Sequence, residues 1–319
     1  MKLLFRCSTA LMVTLDALGG VSKMPGASFS LGDAAVVWDV SSNKLPDSIW
    51  VYKSLKQDFS PTVISNLMWL GGFTKSDAAK SPEDPQVRDK DYLFFVNHDK
   101  TRHLGIYPAV GWVDYKDFSV RASMRELAKE VPGEAETYEL ARKYMRFAGV
   151  DSSQIARKRS GSEFLTYREL FKQSYTLPET KTKGEQVIAR GFFFVRGIDG
   201  IEFTGIGNAG GFMVSFGNEG KVHELQVLWR NFQPHRLLAF PTPKQFVERI
   251  QKGLAVAIDP IPASIKKVTI KKITPFYKGL AEDEKQPFLY PFADMELDLD
   301  VGTATNQFLR VTCPIVVVE

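Results

Sequence analysis

From Ala189 onward the chain reads as short apolar runs separated by glycine-centred turns: "ARGFFFVRG", "GIEFTG", "GFMVSFG" and "KVHELQVLWRNF". Runs of this length, rich in aromatic and β-branched residues and bounded by Gly, Asn and Asp, are strand signals. No helical period separates them. The expected unit is a sheet that turns back on itself, with short helices laid over it, rather than a parallel sheet fed by crossover helices.

One of these turns carries a spacing that belongs to another fold. "TGIGNAGGFMVSFGNEG" (204–220) contains G-x-G-x-x-G at Gly205, Gly207 and Gly210. A dinucleotide fingerprint needs a strand, a glycine turn and then a helix, because the pyrophosphate rests on the helix N-terminus. After Gly210 the residues alternate apolar and small and run into "NEG", a hairpin turn with Gly220. The glycines are therefore expected to form a tight loop or bulge between antiparallel strands. No cofactor is expected.

Helices are punctuated elsewhere. "SPTVISNLMWLGG" (60–72) has Ser60 as cap, Pro61 at the first position and Gly71 or Gly72 as stop. "PGEAETYELARKYMRFAG" (132–149) places Glu134 and Glu136 where the helix dipole favours acids. "TPKQFVERIQKG" (242–253) opens on a Thr242…Gln245 capping box. Two shorter helices are expected: "SVRASMRELAKE" (119–130), through Val120, Met124, Leu127 and Ala128, and "TYRELFKQ" (166–173), from a Thr166…Glu169 box. Strands are expected at 35–40, 47–53, within 92–115 with a turn at His98–Lys100, and at 266–277, 288–300 and 308–318. The hairpins 94–107 and 213–227 look like copies of one unit. The class is α+β, not Rossmann. The expected division is a leader or disordered N-terminus (1–24), an N-terminal α+β module (25–130) and a C-terminal α+β domain (131–319) with two helix-plus-meander units.

Composition narrows the function classes. A net charge of +4 over 319 residues, with Lys and Arg scattered, does not make a nucleic-acid face. Two cysteines, Cys7 and Cys313, cannot build a disulfide framework or a Cys-rich zinc site. Cys313 is expected as a buried core residue. "MKLLFRCSTALMVTLDALGG" begins like a secretory leader, but Arg6 and Asp16 interrupt its apolar stretch. Export and a cytoplasmic location both stay open, and no later segment is long enough to span a membrane.

Candidate chemistry is thin. His103, Asp114 and His223 are the candidates for general acid–base work, with His98 and Asp99 nearby as metal ligands. His223 and Glu224 are neighbours on a strand and are expected on opposite faces. Asp294, Glu296, Asp298 and Asp300 in "DMELDLD" share one strand face at steps of about 7 Å. They suit either a calcium ion or cross-strand pairs with Lys267 and Lys271 of "KKVTIKKI". "ARKRSGS" (Arg157, Lys158, Arg159) fits a phosphate grip or a solvated loop. Trp229, Arg230 and Phe232 form the candidate partner-binding surface, or else a cluster at the core's edge. No nucleophile elbow, Cys–His pair or P-loop lysine is present.

The run "GIEFTGIGNAGGFMVSFGNEGKVHELQVLW" followed by "FPTPKQFVERIQKG" resembles extracytoplasmic modules of the PepSY type. It is also similar to regulatory proteins of bacterial cell-wall sensor kinases, and "YPFADMELDLD" resembles their proline-aromatic strand. The likeness covers residues 187 to 319 and, more faintly, 45 to 150. It implies repeated cystatin-like or PepSY-like modules and a non-catalytic role on a protein partner outside the cytoplasm. The alternatives are a hydrolase using His103, Asp114 and His223 in a cleft between modules, and a small-ligand carrier.

Overall fold

The computed structural model describes residues 27–40, 45–78, 92–157, 163, 165–205, 210–257, 259–279, 287–303 and 307–316, without the side chains of 165–171, 204–205 and 279. The N-terminal stretch read as a leader, Cys7, Gly207, Lys158 and Arg159 lie outside the described residues. The chain divides into two compact units, neither continuous in sequence: unit 1 comprises 1–53, 234–278 and 287–319, and unit 2 comprises 54–233 and 279–286. The division expected at residues 130 and 131 falls inside unit 2.

Strands β1 (Ala27–Phe29), β2 (Ala35–Trp38) and β3 (Ser48–Leu55) come first. Then follow β4 (Leu93–Val96), β5 (Arg102–Tyr107), β6 (Trp112–Asp117), β7 (Leu165–Thr176), β8 (Lys183–Val195), β9 (Gly197–Ile198), β10 (Ile201–Gly205), β11 (Gly211–Phe216) and β12 (Val222–Leu228). The chain closes with β13 (Asn231–Ala239), β14 (Ala255–Ala257), β15 (Lys267–Gly279), β16 (Phe288–Leu289), β17 (Pro291–Asp300) and β18 (Gln307–Pro314). Three α-helices stand among the described residues: α1 (Pro61–Gly71), α2 (Glu134–Phe147) and α3 (Pro243–Gln251). Few helices and mostly antiparallel sheets make the protein α+β.

The local codes for α1 and α3 work as written. Ser60 accepts from the Val63 amide, and Gly72 closes α1 at φ 65°. Thr242 and Gln245 complete the capping box of α3. The two shorter helices do not form. Residues 118–120 make one 3-10 turn, and the chain then runs on irregularly to Gly133. Its backbone groups are satisfied by distant partners: the Ala128 amide donates to Gln186, the Lys129 amide to Asn218, and Met124 O accepts from the Thr176 amide. Segment 166–173 lies inside β7, which pairs antiparallel along β8 from Leu165 to Thr176. Tertiary pairing overrides a helical pattern too short to hold on its own.

Unit 2 is built on a seven-stranded sheet in the order β4-β5-β6-β12-β11-β8-β7. Alternate residues Leu104, Ile106, Val113, Tyr115, Leu225, Val227, Phe212, Val214, Phe192 and Phe194 point to one face. There they pack with Leu67, Ala141 and Met145 of α1 and α2 in one core. The hairpins β4-β5 and β11-β12, which look alike in sequence, lie in this same sheet, and their strands β5 and β12 flank β6. Gly210 has φ 128° and leads into β11, which pairs antiparallel with both β8 and β12. A strand, not a helix, follows the glycine motif.

In unit 1 the strand order is β1-β14-β18-β17-β15, with β2 parallel to β15. The second sheet here is β13-β3-β16. Val268, Ile270, Met295, Leu297, Leu309 and Val311 are buried, as are Phe246 and Ile250 of α3. Cys313 is buried on β18, and burial pushes its thiol up to about 12.

Candidate functional site

The face of the unit 2 sheet turned away from α1 and α2 carries the charged groups. On β5, β6 and β12 the positions between the core residues are His103, Asp114, Lys116, Glu224 and Gln226. His103 Nε2 lies 3.3 Å from Asp114 Oδ2. Lys116 Nζ sits between Asp114 Oδ1 at 3.5 Å and Glu224 Oε1 at 3.4 Å. Gln226 Nε2 donates to the same two oxygens, at 3.1 and 2.8 Å. The network is closed, since each carboxylate meets both a cation and an amide.

Burial sets the character of these groups. Asp114 and Glu224 are each 8% exposed. Desolvation would raise Asp114, but the His103 contact, the Lys116 charge and the Gln226 bond hold its carboxyl below the ordinary range. Glu224 has fewer such partners; desolvation dominates and its carboxyl is raised. Lys116 is raised as well, because two carboxylates outweigh its burial.

Sequence alternation predicts His223 and Glu224 on opposite faces, and a β-bulge overturns this. Ser215 pairs with Glu224 and Phe216 with Val222, so His223 is the extra residue. Val222 and Leu225 both enter the core, and His223 turns to the charged face, where Nδ1 lies 3.1 Å from Ser215 Oγ. Burial, followed by the charges of Arg121 and Lys116, pushes this imidazole down to about 4. Phe118 stands between the two histidines, its ring 6.0 Å from His103 and 6.4 Å from His223. The structure thus brings the three acid–base candidates onto one face, as two separate pairs.

Next to this network lies a row of near-parallel rings. Tyr92 stacks on Phe94 at 6.0 Å and on Trp112 at 6.2 Å, with interplanar angles of 15° and 9°. Gly105, opposite Asp114 in the register, makes room for Tyr92; a Cβ there would sit 2.7 Å from the phenol oxygen. Burial and the Asp114 charge push the Tyr92 phenol up to about 12. Sequence reasoning missed Lys116, Gln226 and Tyr92, although the alternation of "GWVDYK" marks Lys116 as a same-face neighbour of Asp114.

The other candidates are placed differently. Trp229 and Arg230 are 4% and 3% exposed, so neither offers a surface to a partner. Arg230 Nε donates to Val110 O, and the Arg196 guanidinium lies 4.8 Å over Trp229 and 5.2 Å over the half-buried Phe232. Arg196 donates from Nε and Nη2 to Gln154 and from Nη1 to Arg230 O. Its desolvation pushes it down to about 9. Trp229, Arg230 and Phe232 belong to this cation–aromatic core.

Asp294, Glu296, Asp298 and Asp300 alternate with buried residues on β17, all outward. Arg310 reaches Asp294 at 2.6 Å, and Lys272 reaches Glu296 at 2.6 Å. A register shift between Ile270 and Lys272 moves the lysines, so Lys272 rather than Lys271 faces β17, and Lys271 pairs with Asp39 at 2.7 Å. Lys267 lies opposite Asp300 in the register. No cluster of three metal-ligating side chains occurs among the described residues. His98 is exposed in the β4-β5 turn, and Arg157 forms an isolated bridge with Glu163. Among the described residues no helix is long and apolar enough to cross a membrane.

No protein-family model matches the chain, and no curated protein matches it. Among solved structures it is similar to an uncharacterized protein from Eubacterium rectale ATCC 33656, with a TM-score of 0.43 and 11% identity over 88% of this chain and 86% of that one. A likeness this remote carries no argument about function.

Proposed function

We propose that the protein is a non-catalytic binding or regulatory protein that acts on a protein partner outside the cytoplasm, built from PepSY-like helix-on-sheet modules. The observation that carries this reading is the strap from Phe118 to Leu127. Phe118, Met124 and Leu127 are 44%, 66% and 50% exposed, and Arg121 lies 5.2 Å over the Phe118 ring. Scattered single apolar side chains need no explanation, but three large exposed ones within one ten-residue segment call for one. Phe, Met and Arg are also the residues that interfaces enrich. The strap is held by the buried Val120 and Ala122 and by the Gln186 bonds to Glu126 O and the Ala128 amide, while Phe118, Met124 and Leu127 stay outward.

The hydrolase reading has less support. The Ser215–His223 pair is buried, and its imidazole faces two cations, the wrong charge environment for a general base. The His103–Asp114 pair has the right environment, but the rings next to His103 are Phe94 and Phe118 rather than a nucleophile. The test is comparative capture from envelope extract by immobilised wild-type protein and a Met124→Asp/Leu127→Asp variant of equal melting temperature. A protein held by the wild type and lost with the variant is the expected result. Identical capture profiles would refute the assignment.

A further inference from the structure

We propose that the edge of unit 2 where α1 meets the end of α2 docks on an anionic lipid bilayer, with Trp69 entering the headgroup layer and Lys143 and Arg146 meeting lipid phosphates. Trp69 is 74% exposed, more than any other large apolar side chain among the described residues. It does not stand alone. Its ring lies 6.5 Å from Phe147, and Phe147 lies 5.6 Å from Tyr144. Lys143 Nζ closes the row, 5.9 Å from the centre of the Tyr144 ring. Phe147 and Tyr144 are half-buried against the core, so they form a footing from which the indole projects.

Charge selects the occupant. Helix α1, "PTVISNLMWLG", carries no charged residue, and after Pro61 its exposed side chains are Thr62, Ser65 and Trp69. Beyond Glu139, α2 carries Arg142, Lys143 and Arg146 and no acid. Arg142 is taken by Glu163 at 3.1 Å, whereas Lys143 and Arg146 are exposed and make no ion pair among the described residues. The surface therefore joins aromatic rings to unpaired cations and supplies no anion of its own. Indole and phenol rings settle at the boundary between headgroups and acyl chains, and basic side chains beside them are drawn to anionic lipid. A ring that projects from a helix, rather than lining a recess, suits a fluid layer that needs no matching shape. The contact lies on the bilayer and does not cross it, because no described helix is long and apolar enough to span one. The strap offers the contrast: the exposed acids Glu126 and Glu130 stand among its apolar residues, where anionic lipid would meet repulsion.

This surface goes beyond the protein-partner reading and uses none of its residues. The experiment is flotation of the whole protein with phosphatidylcholine vesicles, with and without about 30% phosphatidylglycerol, in low salt and in about 0.5 M salt. Saturable binding to the anionic vesicles is expected, weakened at least about tenfold by the high salt, by Trp69→Ala and by Lys143→Gln/Arg146→Gln. All three positions are exposed, so the variants should melt with the wild type. Brominated lipid should quench the wild-type tryptophan emission but not that of Trp69→Ala, whose other four tryptophans are half-buried or buried. Phe308→Ala, which removes another exposed ring on β18, should leave binding unchanged. No binding to anionic vesicles, equal binding to phosphatidylcholine alone, or quenching that survives Trp69→Ala would overturn the proposal. So would binding that is lost with Met124→Asp/Leu127→Asp and kept by Trp69→Ala, which would put the lipid contact on the strap.

Discussion

Acidification should unfold this protein through His223 before its paired carboxylates respond. The imidazole is 2% exposed, bonded to Ser215, and faces Arg121 and Lys116. Its folded pKa of about 4 lies below the ordinary 6.5. Above pH 6.5 the ring is neutral in both states and contributes nothing to pH dependence. Between 6.5 and 4 the unfolded chain takes up a proton that the folded state refuses, so stability falls as pH falls. At about 1.4 kcal/mol per unit, the full effect is roughly 3 kcal/mol below pH 4, most of it already lost by pH ~4.5. Glu224 works in the opposite direction, because a raised folded pKa favours the folded state on acidification. Asp114, held low, costs stability as pH falls through its ordinary 3.8, mostly below the range in which His223 acts. A difference measurement removes these neighbours. Urea unfolding of wild type and His223→Asn at pH values from about 7.5 to 4.5 should show the wild type losing about 2–3 kcal/mol more than the variant. Asn keeps a hydrogen-bonding group at the position that meets Ser215. Parallel curves, or a His223 ring resonance that titrates near 6.5, would refute the reasoning.

Other positions give independent checks. Gly111→Ala should cost more than ~2 kcal/mol, because φ is 67° and a Cβ would lie 2.8 Å from the backbone of Trp229 and Arg230. Gly72→Ala, at φ 65° with its nearest neighbour 3.4 Å away, should cost only about 1 kcal/mol; equal losses in denaturant unfolding would contradict the close-approach argument. Phe212→Ala, at a fully buried core ring, should cost about 3–5 kcal/mol. Millimolar calcium should leave the melting temperature unchanged, since Arg310 and Lys272 already occupy Asp294 and Glu296; a rise that saturates with calcium would show that the β17 face takes up the ion.

What the sequence made legible depended on how far apart the interacting residues are. Ser60 with Val63, and Thr242 with Gln245, act over three residues, and both helix starts are readable from the letters alone. The antiparallel course of β11 follows from alternation after Gly210, which is also local. Segments 119–130 and 166–173 have equally good local signals for helix, yet their partners stand far away. Gln186 and Asn218 hold the first, 58 and 89 residues distant from the groups they bond, and the whole length of β8 holds the second. A pattern of eight to twelve residues supplies too little helix stability to resist such pairing. Met124 and Leu127 end up exposed for the same reason: the helix face that would have buried them is never made.

The charged face of unit 2 separates along the same line. His103 and Asp114 are eleven residues apart on β5 and β6, within reach of a sequence-level hairpin argument. Glu224 and Gln226 join them only because β12 lies beside β6, a pairing between segments more than a hundred residues apart. The bulge at His223 adds one residue near the Gly217–Gly220 turn, and that one-residue shift moves an imidazole from the core to the polar face. Without the bulge, a histidine facing Phe216 and Leu225 would have no Ser215 to meet, and burial, the larger cause of its low pKa, would act on it still. The Ser215–His223 contact and the makeup of the face thus have one structural cause. A substitution that restores regular pairing at 222–224 should break the Ser215 contact and disturb the Lys116–Glu224 contact together, while the His223 pKa stays below its ordinary 6.5 because the ring remains desolvated.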